Sequence, residues 1–239
     1  MSAARFTVAP EVFDRLPGLV IVVAWATGID NEEVNPTVDA EWASSWATAG
    51  LWADSLPNPQ SHPHVKAWGD RLKTAGVSRK DFPPSVEAVL RRAMKRGPRF
   101  VINPLVDFYN AVALRLVVPA GAFDVRTLSH DVVLRTSRAG DTFWALDVAE
   151  PIPVPGGEIA YAAGSTVLTR QLMWRQSRAG LVTPTTTSVL FMSELLPEHP
   201  ADLPDRVAEG FHDGFPRHFG VEPRMGRVTA DDPTFPLAR

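Results

Sequence analysis

The 239 residues carry 24 Lys+Arg against 27 Asp+Glu, for a net charge of -3, with 45% hydrophobic residues and no cysteine. A chain of this length can bury roughly 70% of the surface its unfolded form exposes, so a globular protein is expected. The charge excludes a general nucleic-acid coat and an anionic-membrane binder, and the missing cysteine excludes a disulfide framework, a thiolate nucleophile and a cysteine-containing metal site.

The opening stretch "MSAARFTVAPEVFDRLPG" lacks the unbroken apolar core of a signal peptide, and Leu19 to Ala26 is too short to span a bilayer. A soluble cytoplasmic protein with no membrane and no DNA partner is therefore expected. "LVIVVAWATG", residues 19 to 28, is a β-branched run between Pro17-Gly18 and Gly28 and reads as a buried strand. Helices follow: Trp42, Trp46, Ala49 and Ala53 share one helical face, and Val86, Val89, Leu90, Ala93 and Met94 form a second stripe that Gly97 ends. Asn103 as N-cap and Pro104 at the first position predict a mostly buried helix to about Leu116, stopped by Pro119. From Val132 the pattern shortens to strands: "VVLRT", "TFWAL", "EIAYAA", "TVLTRQLMW" and "SVLFMSEL". A helix near Leu203 to Phe219 comes last. This order predicts an α+β fold, a mostly antiparallel sheet or sandwich core flanked by helices, as a single domain over residues 1–221 with a polar C-terminal tail over 222–239.

The helix from Asn103 holds an amide, Asn110, one turn after Asp107. Asn110 is either a pocket group or a buried amide bonded to a neighbouring loop. Asp107 suits a structural role near a helix N-terminus, Glu158 beside Gly156-Gly157 reads as a solvated turn edge, and Trp42 with Trp46 reads as core. The six histidines show no ligand spacing, so no metal is expected, and no cofactor motif is present. A nucleophile elbow and a covalent nucleophile are equally lacking, which leaves the catalytic residues unassigned. Residues 91 to 178 hold 12 Lys+Arg against 7 Asp+Glu, and Arg91, Arg92, Lys95, Arg96 and Arg99 cluster within nine positions. That cluster is either a phosphate-contacting surface or a solvated helix face.

"INPLVDFYNAVALRLVVPAGAFD" resembles the tRNA-editing module, the B-three/B-four module, of the beta subunit of phenylalanyl-tRNA synthetase. Freestanding relatives of that module are closer, sharing "SVEAVLRRAMKRGPRFVINPL", "GDTFWAL", "GGEIAYA", "MWRQS" and "VTPTTTSVLFMSEL" in order, over residues 84 to 196. The resemblance implies a pocket for the aminoacylated 3' end of a tRNA, where bound water hydrolyses the ester of a misacylated tRNA. Asn110 matches a pocket asparagine of that module. Tyr109 stands where threonine is common, and Gly121 stands where the module has a histidine. Glu194 lies two residues beyond the position of the glutamate that reads a phenol hydroxyl, on the same strand face. If unpaired, that carboxylate would favour a polar, tyrosine-like substrate. Trp174 and Arg175 suit the terminal adenosine, and "TPTTTS" offers hydroxyls for water or ribose. A noncatalytic RNA-binding module and a small-molecule binding protein or hydrolase are the alternatives.

Overall fold

The computed structural model describes residues 3–32 and 34–237. The β-branched run folds as strand β2 (Val20–Thr27), delimited by Gly18 and Gly28, both at φ 76°, a conformation that glycine adopts without steric cost. It is preceded by β1 (Arg5–Val8) and helix α1 (Pro10–Arg15). The tryptophan stripe lies on α2 (Pro36–Gly50), α3 (Pro63–Thr74) follows, and the second stripe lies on α4 (Ser85–Met94). Helix α5 (Pro104–Leu116) begins as its sequence signals predict: the Asn103 side chain accepts from the Val106 N–H at 3.1 Å, and Asn31 braces the turn by donating to Asn103 and accepting from the Leu105 N–H.

The remaining elements are β3 (Gly121–Asp124), β4 (Val132–Thr136), β5 (Thr142–Phe143), β6 (Ile152–Pro153), β7 (Ile159–Ala163), β8 (Thr166–Arg170), β9 (Arg175–Gln176), β10 (Ser188–Leu195), α6 (Leu203–Phe219), β11 (Arg224–Val228) and β12 (Thr234–Pro236). They form two sheets. One has the order β12-β1-β4-β7-β8-β5-β6 with β9 paired to β8, and the other has the order β11-β2-β10-β3. Pairing is antiparallel except for β1 with β4 and β5 with β8. The class is α+β, as expected.

Period-2 alternation assigns the faces. Leu190 and Met192 of β10, Ile21 and Val23 of β2, and Phe123 of β3 pack toward Phe6, Leu134, Ile159 and Tyr161 of the larger sheet. Val189 and Phe191 of β10 and Val22 and Ala24 of β2 pack the other way, against Phe108 and Val112 of α5 and Phe211 and Phe215 of α6. Fully burying an aromatic side chain of this kind is worth about 1.5–3 kcal/mol, so the Phe108, Phe191, Phe211 and Phe215 cluster anchors both helices to the sheet. Close approach of α5 and α6 depends on Gly214, where an added Cβ would collide with the Phe108 ring. Trp42 and Trp46 form a third core with Phe100, in agreement with the core reading.

Three expectations are corrected. The polar tail beyond residue 222 instead supplies β11, which pairs with β2, and β12, which pairs with β1, because Val228 and Phe235 have apolar positions to fill in the inter-sheet core. Strand "TVLTRQLMW" stops at Arg170, because Gln171 and Leu172 sit at φ 50° and 66° and turn the chain inward. Glu158 is buried and bonded by the Arg170 Nε at 2.9 Å rather than solvated.

Candidate functional site

Helix α5, the start of β3, the turn after β8 and the end of β10 converge on a cavity of about 200 Å³. Tyr109 and Asn110 of α5, Gly121 of β3, Trp174 and Arg175 around β9, and Glu194 of β10 all line it, together with Ser85, Phe123, Tyr161, Thr169, Gln176 and Met192. The four residues expected from the sequence to line a pocket thus share one wall system, with two of the residues expected to meet RNA.

The local folding of each follows from its element. Asn110 is 8% exposed on a helix that is otherwise almost wholly apolar, and its side-chain amide makes no hydrogen bond to any described residue. The loop-bonded alternative is therefore not what the chain adopts. The amide is nevertheless not among the buried polar atoms left without a partner, so it opens onto the cavity rather than into sealed core. Tyr109 packs edge-on against Phe191 at 5.7 Å, and burial pushes its phenol up. Chain direction between α5 and β3 is reversed by Val117, a β-branched residue at φ 53°, a strained conformation of the kind that clusters near binding sites. Gly121 pairs with Met192 across the ladder, and a Cβ built on it would meet no atom within 4 Å. The position expected to have lost an imidazole is thus open space.

Glu194 shares its strand face with Leu190 and Met192, past the end of β3, and is 3% exposed. Its Oε1 accepts from the Tyr161 hydroxyl at 2.5 Å. Burial raises the Glu194 carboxyl above its ordinary range, against the opposing effect of that hydrogen bond, and burial beside Glu194 raises the Tyr161 phenol. The condition of an unpaired carboxylate is therefore not met at Oε1.

The opposite wall is the turn from Gln171 to Trp174, whose two left-handed residues set Leu172 and Met173 into the lining. Trp174 is held edge-on by Phe82 at 4.8 Å, with the Arg170 and Arg175 guanidinium carbons 5.8 and 5.9 Å from its ring centroid. Arg175 pairs with Asp147 at 2.5 Å. Gln176 donates to the Ala122 carbonyl at 3.0 Å and so ties β9 to β3. Among the lining residues there is no serine, histidine and carboxylate arrangement; the titratable groups are Tyr109, Tyr161, Arg175 and Glu194. "TPTTTS" lies outside the lining: Thr186 donates to Asp124 at 2.8 Å and its loop receives an Asn31 bond, so these hydroxyls build a turn.

The basic cluster runs away from the cavity along α4, whose first residue, Ser85, lines it. Arg91 pairs with Glu87 at 2.5 Å, Arg96 with Asp54 at 2.5 Å and Arg99 with Asp39 at 2.7 Å, while Arg92 stacks on Phe100 at 4.5 Å. Lys95 has no ion-pair partner among the described residues. Asp107 accepts from the Ile102 N–H at 3.1 Å, and burial lifts its carboxyl to about 6. No group of three or more metal-ligating side chains occurs among the described residues, and no described helix is long and apolar enough to cross a membrane.

Sequence reasoning did not single out Tyr161, Thr169, Gln176 or Met192. Tyr161 had a signal, being the one residue with a polar tip inside the strand "IAYAA", but its partner comes from the other sheet, and no spacing within a strand reveals that.

Two stacked sheets and a mostly buried helix thus frame a cavity with the Asn110 amide on its wall, in an α+β domain. The chain belongs to the B3/4 domain family, whose model matches residues 70–201, more than half its length. A solved structure to which it is similar is an N-terminal fragment of the phenylalanyl-tRNA synthetase beta-subunit from Pyrococcus horikoshii, at 11% identity and a TM-score of 0.49, with 100% of this chain and 56% of that chain covered. The chain thus spans just over half the length of that fragment. No curated protein matches the sequence.

Proposed function

We propose that this protein is a tRNA-directed editing domain that hydrolyses the ester of a misacylated tRNA, with the aminoacylated 3' end entering the cavity beside Asn110. The observation that carries this reading is the Asn110 amide, which has no protein partner and opens onto the cavity within the segment that matches the family. The resemblance of residues 84 to 196 to tRNA-editing modules, which lies inside that segment, supports it.

An aminoacyl ester is already activated, so positioning supplies much of what catalysis needs. Asn110 would hold the amino acid, and the Thr169 and Tyr109 hydroxyls would serve as donors around the carbonyl as its oxygen gains charge. Water adds to the carbonyl carbon, the bond to the ribose oxygen breaks, one water proton passes to that oxygen to give the ribose hydroxyl, and the amino acid leaves as its carboxylate with the other proton released to solvent. Trp174, flanked by Arg170 and Arg175, offers a stacking face for the terminal base at the rim. Lys95 and the arginines of α4 begin about 9 Å along the helix from Ser85, a reach suited to the following phosphates.

The second reading, a module that binds the aminoacylated end without turnover, is favoured by one observation: Glu194, the carboxylate in the lining, is tied through Oε1 to the Tyr161 hydroxyl. Incubation of a panel of mischarged tRNAs with the protein separates the two. Release of the amino acid supports the hydrolase, and protection of the ester supports the binder.

A further inference from the structure

The N-terminal end of α5 borders a second cavity, of about 150 Å³, which shares no lining residue with the first. It is framed by the loop after β2, the first turn of α2 and the extended segment that leads into α5. Val34, Val101 and Ile102 all line it and are 86%, 63% and 58% exposed. Three of the four most exposed large apolar side chains among the described residues thus gather at one opening. Scattered apolar residues on a surface are ordinary, whereas apolar residues grouped around a concavity mark a place where something is covered.

The charge of the lining has one sign. Its charged residues are Glu32, Asp39 and Asp107, with no lysine, arginine or histidine among them. Asp107 is the buried member, at 4% exposed, and its two oxygens share a single donor, the Ile102 N–H, at 3.1 and 3.4 Å. An ionised carboxylate offers about four acceptor sites, so most of this one's capacity is unused. Burial is the main influence on the Asp107 carboxyl and raises it; Arg99, which opposes the rise, makes its own ion pair with Asp39 at 2.7 Å. A cation brought into the cavity would supply the partner that the fold does not.

The apolar side chains decide which kind of cation fits. No group of three metal-ligating side chains occurs among the described residues, and a hard metal ion set against valine and isoleucine would lose water without gaining oxygen ligands. An ammonium on an aliphatic chain matches both halves, the head to Asp107 and the chain to the exposed rim. The volume lies below the roughly 300–1,000 Å³ of sites that hold drug-sized molecules, so the chain is short.

We propose that this cavity is a binding site for a small primary amine with a short aliphatic body, its ammonium held by Asp107 and its chain laid against Val101 and Ile102. The site is separate from the Asn110 cavity, and the inference stands or falls independently of the editing reading.

The test is calorimetric titration of the parent with n-pentylamine, pentan-1-ol and magnesium chloride. The parent is expected to bind n-pentylamine saturably, with a Kd of about 1 mM or below, and the alcohol at least tenfold more weakly, since it has no charge to offer Asp107. Asp107→Asn keeps an acceptor for the Ile102 N–H, removes the charge, and should weaken amine binding at least tenfold. Ile102→Lys changes an exposed side chain, sets an ammonium of the chain's own at the opening, and should abolish amine binding; it serves if Asp107→Asn does not fold. Gly121→Val, which fills the first cavity, should bind the amine as the parent does. No saturable binding of the amine, equal affinity for the alcohol, or tighter binding of magnesium overturns the proposal. Parental affinity in a folded Asp107→Asn or Ile102→Lys variant does the same, as does loss of the amine in Gly121→Val, which would place it in the first cavity.

Discussion

Gly121 faces Met192 across the β3–β10 ladder, and beyond its missing side chain lies open cavity, with no atom within 4 Å of where a Cβ would stand. The residue does not need to be glycine for backbone reasons, since it is not among the glycines at positive φ. Its smallness serves the volume of the cavity.

Gly121→Ala is therefore expected to fold with stability within about 0.5 kcal/mol of the parent or slightly above it, since alanine restricts the unfolded chain. Gly121→Val should keep the fold and lose ligand binding at least tenfold by filling the cavity. Thermal unfolding and calorimetric binding of an amino-acid amide, measured on the same samples, check both halves; a loss of stability equal to the loss of binding would assign the glycine to structure.

Asn110→Ala is predicted to separate stability from function in the same way. The amide contributes no hydrogen bond to the fold, and alanine has the higher helix propensity, so stability should be neutral or raised by about 0.5 kcal/mol. Substrate placement should suffer, with a fall in turnover of tenfold or more. A destabilised variant with normal turnover would show that the amide has an architectural role.

How much of this was legible in the sequence depends on the range over which each feature is set. Helix α5 and strand β10 carry local signals: an Asn-Pro cap, an apolar circumference and an eight-residue β-rich run. They fall within a residue of where those signals place them. The split into two sheets does not follow from local pattern, because β1 and β12, from opposite ends of the sequence, complete the larger sheet, and β2 inserts between β10 and β11. The site was legible in its chemistry, since an amide on an apolar helix and an acid on an apolar strand are conspicuous. Their partners were not. Tyr161 reaches Glu194 only through sheet stacking, and the turn at Gln171 and Leu172 lies in a segment whose residue types favour a strand. The arginines of α4 were visible as a charge run, but Glu87, Asp54 and Asp39, which pair with three of them, come from positions fixed by the fold.

That pairing sharpens the expectation for RNA. Arg91, Arg96 and Arg99 each have a carboxylate partner that already offsets their charge, whereas Arg92 and Lys95 have no carboxylate partner among the described residues. Arg92→Glu with Lys95→Glu should weaken tRNA binding and lower the slope of log affinity against log salt by about 2. An unchanged slope would leave α4 as a solvated face.

His62, His64 and His199 form a cluster, with ring centroids 4.9 and 5.1 Å apart, beside Trp52 and Trp68. Burial lowers His62 and His199 from 6.5 to about 4, helped by the neighbouring histidines, and burial lowers His64 as well, with Arg206 adding to the effect; Glu198 opposes it at His199. In the unfolded chain these imidazoles bind protons near pH 6.5, while the folded protein resists until about 4. Their contribution to stability is therefore complete above pH 6.5 and is lost progressively as pH falls toward 4. The melting temperature should decline over that window, and His199→Asn should flatten the decline; an equal slope in parent and variant would show that the cluster does not set the acid limit.

The most direct measurement is hydrolysis of a panel of mischarged tRNAs by the parent, Asn110→Ala and Gly121→Val under single-turnover conditions. The parent is expected to release an amino acid from at least one member, and both variants, folded and still binding tRNA through α4, are expected to release it at least tenfold more slowly. Hydrolysis at the parental rate by both variants would contradict the assignment of the cavity as the site of the reaction.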